Sequence, residues 1–230
     1  MSRCLLACEG PFDKLIYDLL KGIFDENKLE IIPMEGTFLD DPSFSKDPNS
    51  LMKKVLDKER TYSIDDFDEI VYLFDTDGMF LDDECVILDS TTKRTQYSLN
   101  EIRCSDPKNI KVRNKNRRKN VSDILKVGTT FIYYNSRNLE HAFDPKNIKP
   151  MTNSQKSAFA LRIATRYSGD LQSFIKHIRD MNKSGTDDYA GTWDYVKRGE
   201  NSLSSCSNLY LFLKKNYDSI KEEYKHLLLD

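Results

Sequence analysis

Three carboxylates directly follow two apolar runs of the sequence. Glu9 comes after the run at residues 4–8, and Asp75, with Asp77 two residues further on, closes the run at residues 68–75. If these runs are neighbouring parallel strands, the carboxylates meet at one edge of a sheet, where α/β proteins place their functional residues. Unpaired carboxylates at that edge would repel one another, and a hard divalent cation removes the conflict. The spacing therefore predicts a site for Mg²⁺ (or Mn²⁺) that serves phosphoryl chemistry.

A simpler interpretation of the same residues needs no metal. Acidic side chains favour helix N-termini, so Glu9 could cap the helix that follows it. Aspartate and glycine favour turns, so residues 75–78 could form an ordinary turn. We favour the metal site because both acidic segments coincide with the ends of apolar runs.

The elements that must position these residues alternate between strand and helix. Apolar and β-branched runs predict strands at residues 4–8, 29–33, 68–75, 85–89 and 129–134. Apolar residues at three- and four-residue steps predict helices at residues 12–23, 50–59 and 136–143. This alternation predicts an α/β fold with a small, mostly parallel sheet flanked by helices over residues 1–148.

Residues 149–230 have a different pattern, and we predict a helical C-terminal subdomain there. Helical periodicity covers residues 154–167, 171–181 and 208–226. The polar, glycine-containing stretch at residues 185–205 is predicted to be a loop that holds Trp193. No motif identifies a role for this part of the chain.

Composition excludes several classes of protein. The chain has 230 residues, 39% hydrophobic and 31% charged, with a formal net charge of −2, which is typical of a globular protein. The five cysteines form no C-x-x-C pair, so neither a disulfide framework nor a zinc ribbon is expected. The sequence contains no run of 18 apolar residues, so no membrane span is predicted. The opening apolar run is too short for a signal peptide, and we expect a cytoplasmic protein.

One segment, residues 108–120, is strongly basic. It holds seven Lys or Arg residues, no acid and almost no apolar residue, so we predict an exposed, mobile loop. Basic side chains of this kind bind nucleic-acid backbones, and an equally simple interpretation is a solvated loop. The candidate nucleic-acid-binding residues are Lys111, Arg113, Lys115, Arg117, Arg118 and Lys119.

Two motifs resemble those of the Toprim family. The sequence C-E-G-P-F-D, residues 8–13, resembles the first Toprim motif, and L-F-D-T-D-G, residues 73–78, resembles the second. In that family the glutamate is the acid–base residue and the two aspartates bind Mg²⁺, which implies these roles for Glu9, Asp75 and Asp77. The resemblance also implies that Asp13 adds an acidic group one helical turn later.

A third segment resembles RloB-like defence proteins, in which a strand runs into an asparagine-containing turn and a glutamate opens a helix. That glutamate corresponds to Glu140 in F-I-Y-Y-N-S-R-N-L-E-H-A-F, residues 131–143, and the resemblance implies that Glu140 and Asp13 bind a second metal ion or support the first. The usual Asn-Pro turn of these proteins is replaced here by Ser136 and Arg137, so Asn135 or Asn138 must substitute for its asparagine. The resemblance covers about residues 4–143.

The resemblance implies a Mg²⁺-dependent endonuclease that acts on RNA, with tRNA one candidate, or on DNA, as a toxic effector in antiphage defence. Likeness to the Toprim effector of the PARIS system points the same way. No G-x-x-x-x-G-K-[ST] motif occurs, so an ATPase partner would be a separate chain. A homodimer is a further candidate assembly. The alternative is a non-cutting Toprim-like module that binds a partner ATPase or nucleic acid.

Overall fold

The apolar runs of the sequence form a sheet of four parallel strands. A computed structural model describes residues 1–10, 13–41, 44, 46–59, 61–127, 130–146 and 150–229. Its strands are β1 (Ser2–Cys8), β2 (Leu29–Glu35), β3 (Glu69–Asp75), β4 (Val86–Leu88), β5 (Gln96–Tyr97), β6 (Ile102–Cys104) and β7 (Phe131–Asn135). The main sheet has the order β2–β1–β3–β7, with all pairs parallel. The predicted α/β class with a mostly parallel sheet flanked by helices is confirmed.

Nine α-helices surround this sheet in the described part of the chain. They are α1 (Asp13–Ile23), α2 (Pro48–Glu59), α3 (Pro107–Val127), α4 (Leu139–Phe143), α5 (Asn153–Ser168), α6 (Leu171–Asp180), α7 (Tyr189–Val196), α8 (Tyr210–Lys215) and α9 (Glu222–Lys225). Most bounds agree with the periodicity, including those of α2, α5 and α6. None of the helices described is long and apolar enough to cross a membrane.

Both faces of the main sheet are covered, which explains why its strands are continuous apolar runs. Leu6 and Cys8 of β1 point into a core with α1, α4, α5, α6 and α8. Leu5 and Ala7, on the opposite face, pack in a second core with α2, α3 and α7. The helices after residue 149 therefore contribute to both cores of the sheet.

The basic segment is a helix, so the prediction of a mobile loop there is wrong. It lies within α3, a helix of 21 residues. The residues that α3 buries are Asn114, Arg117, Asn120, Val121 and Ile124, which recur at steps of three and four. Three of these five inward positions are polar, so a search for apolar periodicity finds less than half of the buried face.

Two predictions for the C-terminal part are also wrong. The stretch predicted as a loop contains α7, which is capped where Asp188 accepts a hydrogen bond from the Gly191 amide at 2.7 Å. The single helix predicted at residues 208–226 is divided into α8 and α9, with extended backbone at Ile220 between them. Ile220 forms an isolated antiparallel bridge with Phe24, so a tertiary contact overrides local helical preference.

A small second sheet lies between β3 and α3 in the chain. Its order is β4–β6–β5, and the strand predicted near residues 85–89 corresponds to β4. Leu81, Val86, Ile102 and Leu203 pack beneath it as a separate hydrophobic cluster. This sheet carries Tyr97 to the carboxyl ends of the main strands.

Candidate functional site

The carboxyl ends of three adjacent strands bring polar residues into contact. Glu9 follows β1, Asp75 ends β3 and Asn135 ends β7. The Asp75 amide donates to Glu9 Oε2 at 3.2 Å, and Asn135 Nδ2 donates to Asp75 Oδ1 at 3.4 Å. Because β1 and β7 each pair with β3, the sheet itself holds these three residues side by side.

Two turns with unusual backbone geometry face each other just beyond these strands. Asp77 has a φ of 49° and Arg137 a φ of 62°, both in the left-handed region that non-glycine residues rarely adopt. The Asp77 amide donates to the Arg137 carbonyl at 2.8 Å, and the Arg137 amide donates to Thr76 Oγ1 at 2.8 Å. Such geometry persists only where surrounding contacts hold it, and it concentrates at functional sites.

Arg117 of α3 reaches into the middle of the predicted carboxylates. Its Nε and Nη2 donate to the two oxygens of Asp40 at 2.6 and 2.7 Å, a bidentate pair. Its guanidinium also lies 3.3 Å from Glu9 Oε1 and 3.2 Å from Asp77 Oδ2. Only 4% of Arg117 is exposed. We call Glu9, Asp40 and Asp77 the acidic cluster, and Arg117 is its internal counter-ion.

The electrostatics of the acidic cluster differ from one carboxylate to the next. Burial raises the pKa of Glu9 to about 7, and the negative charge of Asp77 adds to the rise while Arg117 opposes it. Burial alone would raise the pKa of Asp40, but its hydrogen bonds to Arg117 outweigh that effect and the net shift is downward. The carboxylates in turn raise the pKa of Arg117, although its burial acts against them.

Asp77 has further partners on both sides. Tyr97 donates its hydroxyl to Asp77 Oδ1 at 3.2 Å. Arg113, one helical turn before Arg117, approaches Asp77 Oδ2 at 3.5 Å and donates to the Asp77 carbonyl at 3.2 Å. Both carboxylate oxygens of Asp77 are therefore in contact with side chains of this chain.

A cavity of about 270 Å³ opens beside the acidic cluster. Its charged lining consists of three carboxylates and three cations: Asp75, Asp77, Glu140, Arg94, Arg137 and Lys156. Lys156 of α5 lies 2.9 Å from Glu140 Oε1. Burial alone would lower the pKa of Lys156, but the charge of Glu140 outweighs it and raises the pKa. The cavity combines the charges that a metal ion and a phosphate group require.

The predicted ligands suit a divalent cation only in part. Among the residues that the structure describes, no three His, Cys, Asp or Glu side chains form a group that could hold a metal ion. Glu140 Oε2, however, is buried with no hydrogen-bond partner, and Asp75 lines the same cavity. Mg²⁺ commonly binds through only one or two protein carboxylates, with water and phosphate oxygens completing its shell. Asp75 and Glu140 fit that requirement, whereas Arg117 contacts Glu9 and Asp77.

The remaining predicted site residues lie in different places. Asp13 begins α1, but its side chain lies outside the described part of the structure. Arg118 donates to the carbonyls of Met79 and Leu81, so it tethers α3 to the turn after β3. Among the remaining basic candidates, Lys111 is half-buried, and Lys115 and Lys119 are exposed to solvent.

Sequence reasoning missed several residues of the site. Asp40 lies in a stretch with no recognisable motif, and its contact with Arg117 spans 77 residues of chain. Tyr97 and Lys156 come from a two-residue strand and from the C-terminal helical part. Asn135 was not missed in this way: it directly follows a predicted strand, and it is one of the two asparagines that the third motif offers for the turn. Trp193 is a core residue, exposed by only 1%.

Comparisons with protein-family models, with curated proteins and with solved structures gave no match. A function for this chain must therefore be inferred from the geometry and charge of its site.

Proposed function

We propose that this chain is a metal-dependent phosphodiesterase that cuts nucleic acid at the cavity beside the acidic cluster. The observation that carries the proposal is the lining of the cavity. At the carboxyl ends of a parallel sheet, Asp75, Asp77 and Glu140 share a cavity of about 270 Å³ with Arg94, Arg137 and Lys156. This is the position in which α/β folds bind ligands, and the mixed charges suit a metal ion together with a phosphate.

The residues of the chain have distinct parts in this proposal. Asp75 and Glu140 would hold the cation, which when bound would polarise the phosphate and activate water. Asn135 orients Asp75 through its side-chain amide, and Lys156 orients Glu140. Arg137 supplies positive charge to the phosphate, which stabilises the charge that develops in phosphoryl transfer.

The resemblance to RloB-like and PARIS-effector Toprim proteins supports a more specific proposal. We infer that the substrate is RNA, with tRNA as the first one to test, and DNA as the alternative. The same resemblance supports a role as a toxic effector in antiphage defence that works with a separate ATPase chain.

The test is cleavage of a mixed pool of tRNA and plasmid DNA in the presence of Mg²⁺, Mn²⁺ or EDTA. Wild type is compared with Asp75→Asn and Glu140→Gln, and Asp194→Asn serves as control because Asp194 is an exposed acid outside the cavity. We expect cutting that requires metal, is lost in both cavity variants and persists in the control. Cutting that continues in EDTA, or in both cavity variants, would overturn the proposal.

A second candidate function rests on Arg117. This arginine neutralises Glu9 and Asp77, two of the carboxylates expected to be catalytic, as a buried internal counter-ion. That contact favours a module that binds nucleic acid or a partner ATPase without cutting. Folded wild-type protein that retains tRNA in a filter-binding assay but cuts nothing under any metal condition would support this alternative over the nuclease.

A further inference from the structure

Arg137 is a buried arginine on the wall of the cavity. Only 3% of it is exposed, although an arginine is almost always charged. Its guanidinium lies 5.4 Å from the centre of the Tyr97 ring, a cation–π contact. Burial of a charged group is costly unless attractive contacts offset it, and the Tyr97 ring supplies one of them.

The backbone at Arg137 is held in a conformation that an arginine does not favour. Its φ is 62°, and conformations of this type cost about 1–3 kcal/mol for a non-glycine residue. The Arg137 amide donates both to the Ser202 carbonyl at 3.0 Å and to Thr76 Oγ1 at 2.8 Å. Asparagine or glycine would occupy this turn with less strain. The fold therefore holds a guanidinium at a position where local backbone preference disfavours it.

The charges around Arg137 leave room for an anion together with a cation. The acidic cluster and the cavity hold five carboxylates: Glu9, Asp40, Asp75, Asp77 and Glu140. Five cations contact these carboxylates or line the cavity: Arg94, Arg113, Arg117, Arg137 and Lys156. The formal charges balance when Glu9 is ionised, so a divalent cation that enters is favoured by negative charge beside it. A guanidinium matches phosphate oxygens in a bidentate geometry, which makes phosphate the natural anion.

The size of the cavity limits what can carry that phosphate. A volume of about 270 Å³ lies at the small end of ligand pockets and suits a ligand of about one nucleotide. A whole nucleotide, base included, can enter such a space only if its base is unpaired, because a base pair in a duplex is held on both sides by its neighbours.

We propose that Arg137, together with Lys156, binds a phosphate group of one unpaired nucleotide, so that the ligand of this cavity is a single-stranded or locally unpaired nucleic acid. The proposal rests on the proposed function for the class of ligand and for the role of Arg137, and it adds the strandedness of the ligand. Arg137 is a binding residue in this scheme, and Lys156, which pairs with Glu140, adds a second positive charge to the cavity.

The test measures binding without cleavage, by fluorescence anisotropy in EDTA and again in Ca²⁺. The probes are a short single-stranded RNA with a 5′-phosphate, the same RNA with a 5′-hydroxyl, and its duplex. The variants are Arg137→Asn, which suits the left-handed backbone, and Lys156→Gln. Arg162→Gln is the control because it removes one positive charge from an exposed arginine outside the cavity. Circular dichroism establishes that each variant is folded.

We expect the single strand to bind more tightly than the duplex. Arg137→Asn and Lys156→Gln should weaken single-strand binding by about 10- to 100-fold, the usual effect of losing a hydrogen bond to a charged group. Arg162→Gln should bind within about twofold of wild type. A preference for the 5′-phosphate would identify a terminal phosphate as the bound group, and equal binding of both single strands would identify an internal one.

Two results would overturn the proposal: wild-type affinity in both folded cavity variants, or a duplex that binds as tightly as the single strand. Binding and cleavage separate this proposal from the nuclease proposal. Protein that binds through Arg137 but never cuts refutes the nuclease alone. Protein that cuts while Arg137→Asn and Lys156→Gln both bind normally refutes the phosphate site alone.

Discussion

Replacement of Arg117 by methionine tests whether the acidic cluster depends on its internal counter-ion. Methionine keeps most of the aliphatic length of the arginine side chain but removes the guanidinium. The change leaves the carboxylates of Glu9, Asp40 and Asp77 close together without the cation that contacts all three. It also removes a donor to the Asp75 carbonyl at 3.2 Å.

The size of the effect depends on how buried each carboxylate is. Removing one partner of a buried ion pair costs about 3–5 kcal/mol because it leaves an uncompensated charge. The side chain of Asp40 is 40% exposed and regains hydration, whereas those of Glu9 and Asp77 are 16% and 23% exposed. We therefore expect the low end, about 3 kcal/mol. In a chain of this length, that corresponds to a fall in Tm of about 6–12 °C.

The assay is urea unfolding and thermal melting of wild type and Arg117→Met, in EDTA and in Mg²⁺. Mg²⁺ should raise the Tm of the variant more than that of wild type, because the variant exposes carboxylates that a divalent cation can bind. Arg113→Met is the matched control. Arg113 is on the same helix and its side chain is 25% exposed, and its approach to Asp77 Oδ2 is longer at 3.5 Å. We expect a loss of about 1 kcal/mol there.

Two outcomes would refute the reasoning about Arg117. If Arg117→Met unfolds within about 0.5 kcal/mol of wild type in EDTA, the ion-pair network does not stabilise the fold. If the variant is destabilised as expected but Mg²⁺ gives no additional protection, the carboxylates of the acidic cluster do not form a cation site once the arginine is gone.

Three further predictions concern stability. The fold raises the pKa of Glu9 from 4.5 to about 7. The contribution of Glu9 to stability is therefore complete below pH 4.5, and up to about 3 kcal/mol is lost as the pH rises through 7. Glu9→Gln should abolish this loss when the free energy of unfolding is measured from pH 5 to 8. Gly78→Ala should lower the free energy of unfolding in urea by about 2–4 kcal/mol, because φ is 68° and the new methyl group would lie 2.6 Å from a Leu203 methyl carbon. Wild-type stability of this variant would contradict the packing described here. Burial, and to a smaller extent the charge of Arg166, lower the pKa of His177. The contribution of His177 to stability is therefore present above pH 6.5 and is lost as the pH falls below that value. His177→Gln should flatten this part of the pH–stability curve, and an unchanged slope would contradict the prediction.

The parts of the fold that the sequence predicts well are those in which burial alone determines the pattern. The strands at residues 4–8 and 68–75 are apolar throughout because helices cover both faces of the sheet. The helix α3 was missed for the converse reason. Its buried face includes Arg117 and Asn120. Arg117 is held by Asp40 and the Asp75 carbonyl, and Asn120 donates to the carbonyls of Leu39 and Asp41.

The same distinction applies to the site. The contact between Glu9 and the end of β3 could be predicted, because adjacent parallel strands must bring their carboxyl ends together. The contact between Arg117 and Asp40 could not, because neither segment has a local pattern that identifies its partner. Another cation of the cavity, Lys156, comes from α5, a helix that carries no motif. The part of the site that could not be predicted from the sequence is therefore the part formed by ion pairs between residues far apart in the chain.

Residues 202–207, far along the chain, form hydrogen bonds to the two facing turns of the site, which contain Asp77 and Arg137. Ser202 accepts hydrogen bonds from the Arg137 amide and from Thr76 Oγ1, and Cys206 accepts one from the Ser136 amide at 2.7 Å. Ser207 adds an isolated bridge to Asn135. During translation, β1, β3 and β7 therefore emerge from the ribosome well before the residues that lock their carboxyl ends. A nascent chain that stops short of residue 202 lacks the carbonyls that hold the two turns, so the site is assembled only after most of the molecule has been made.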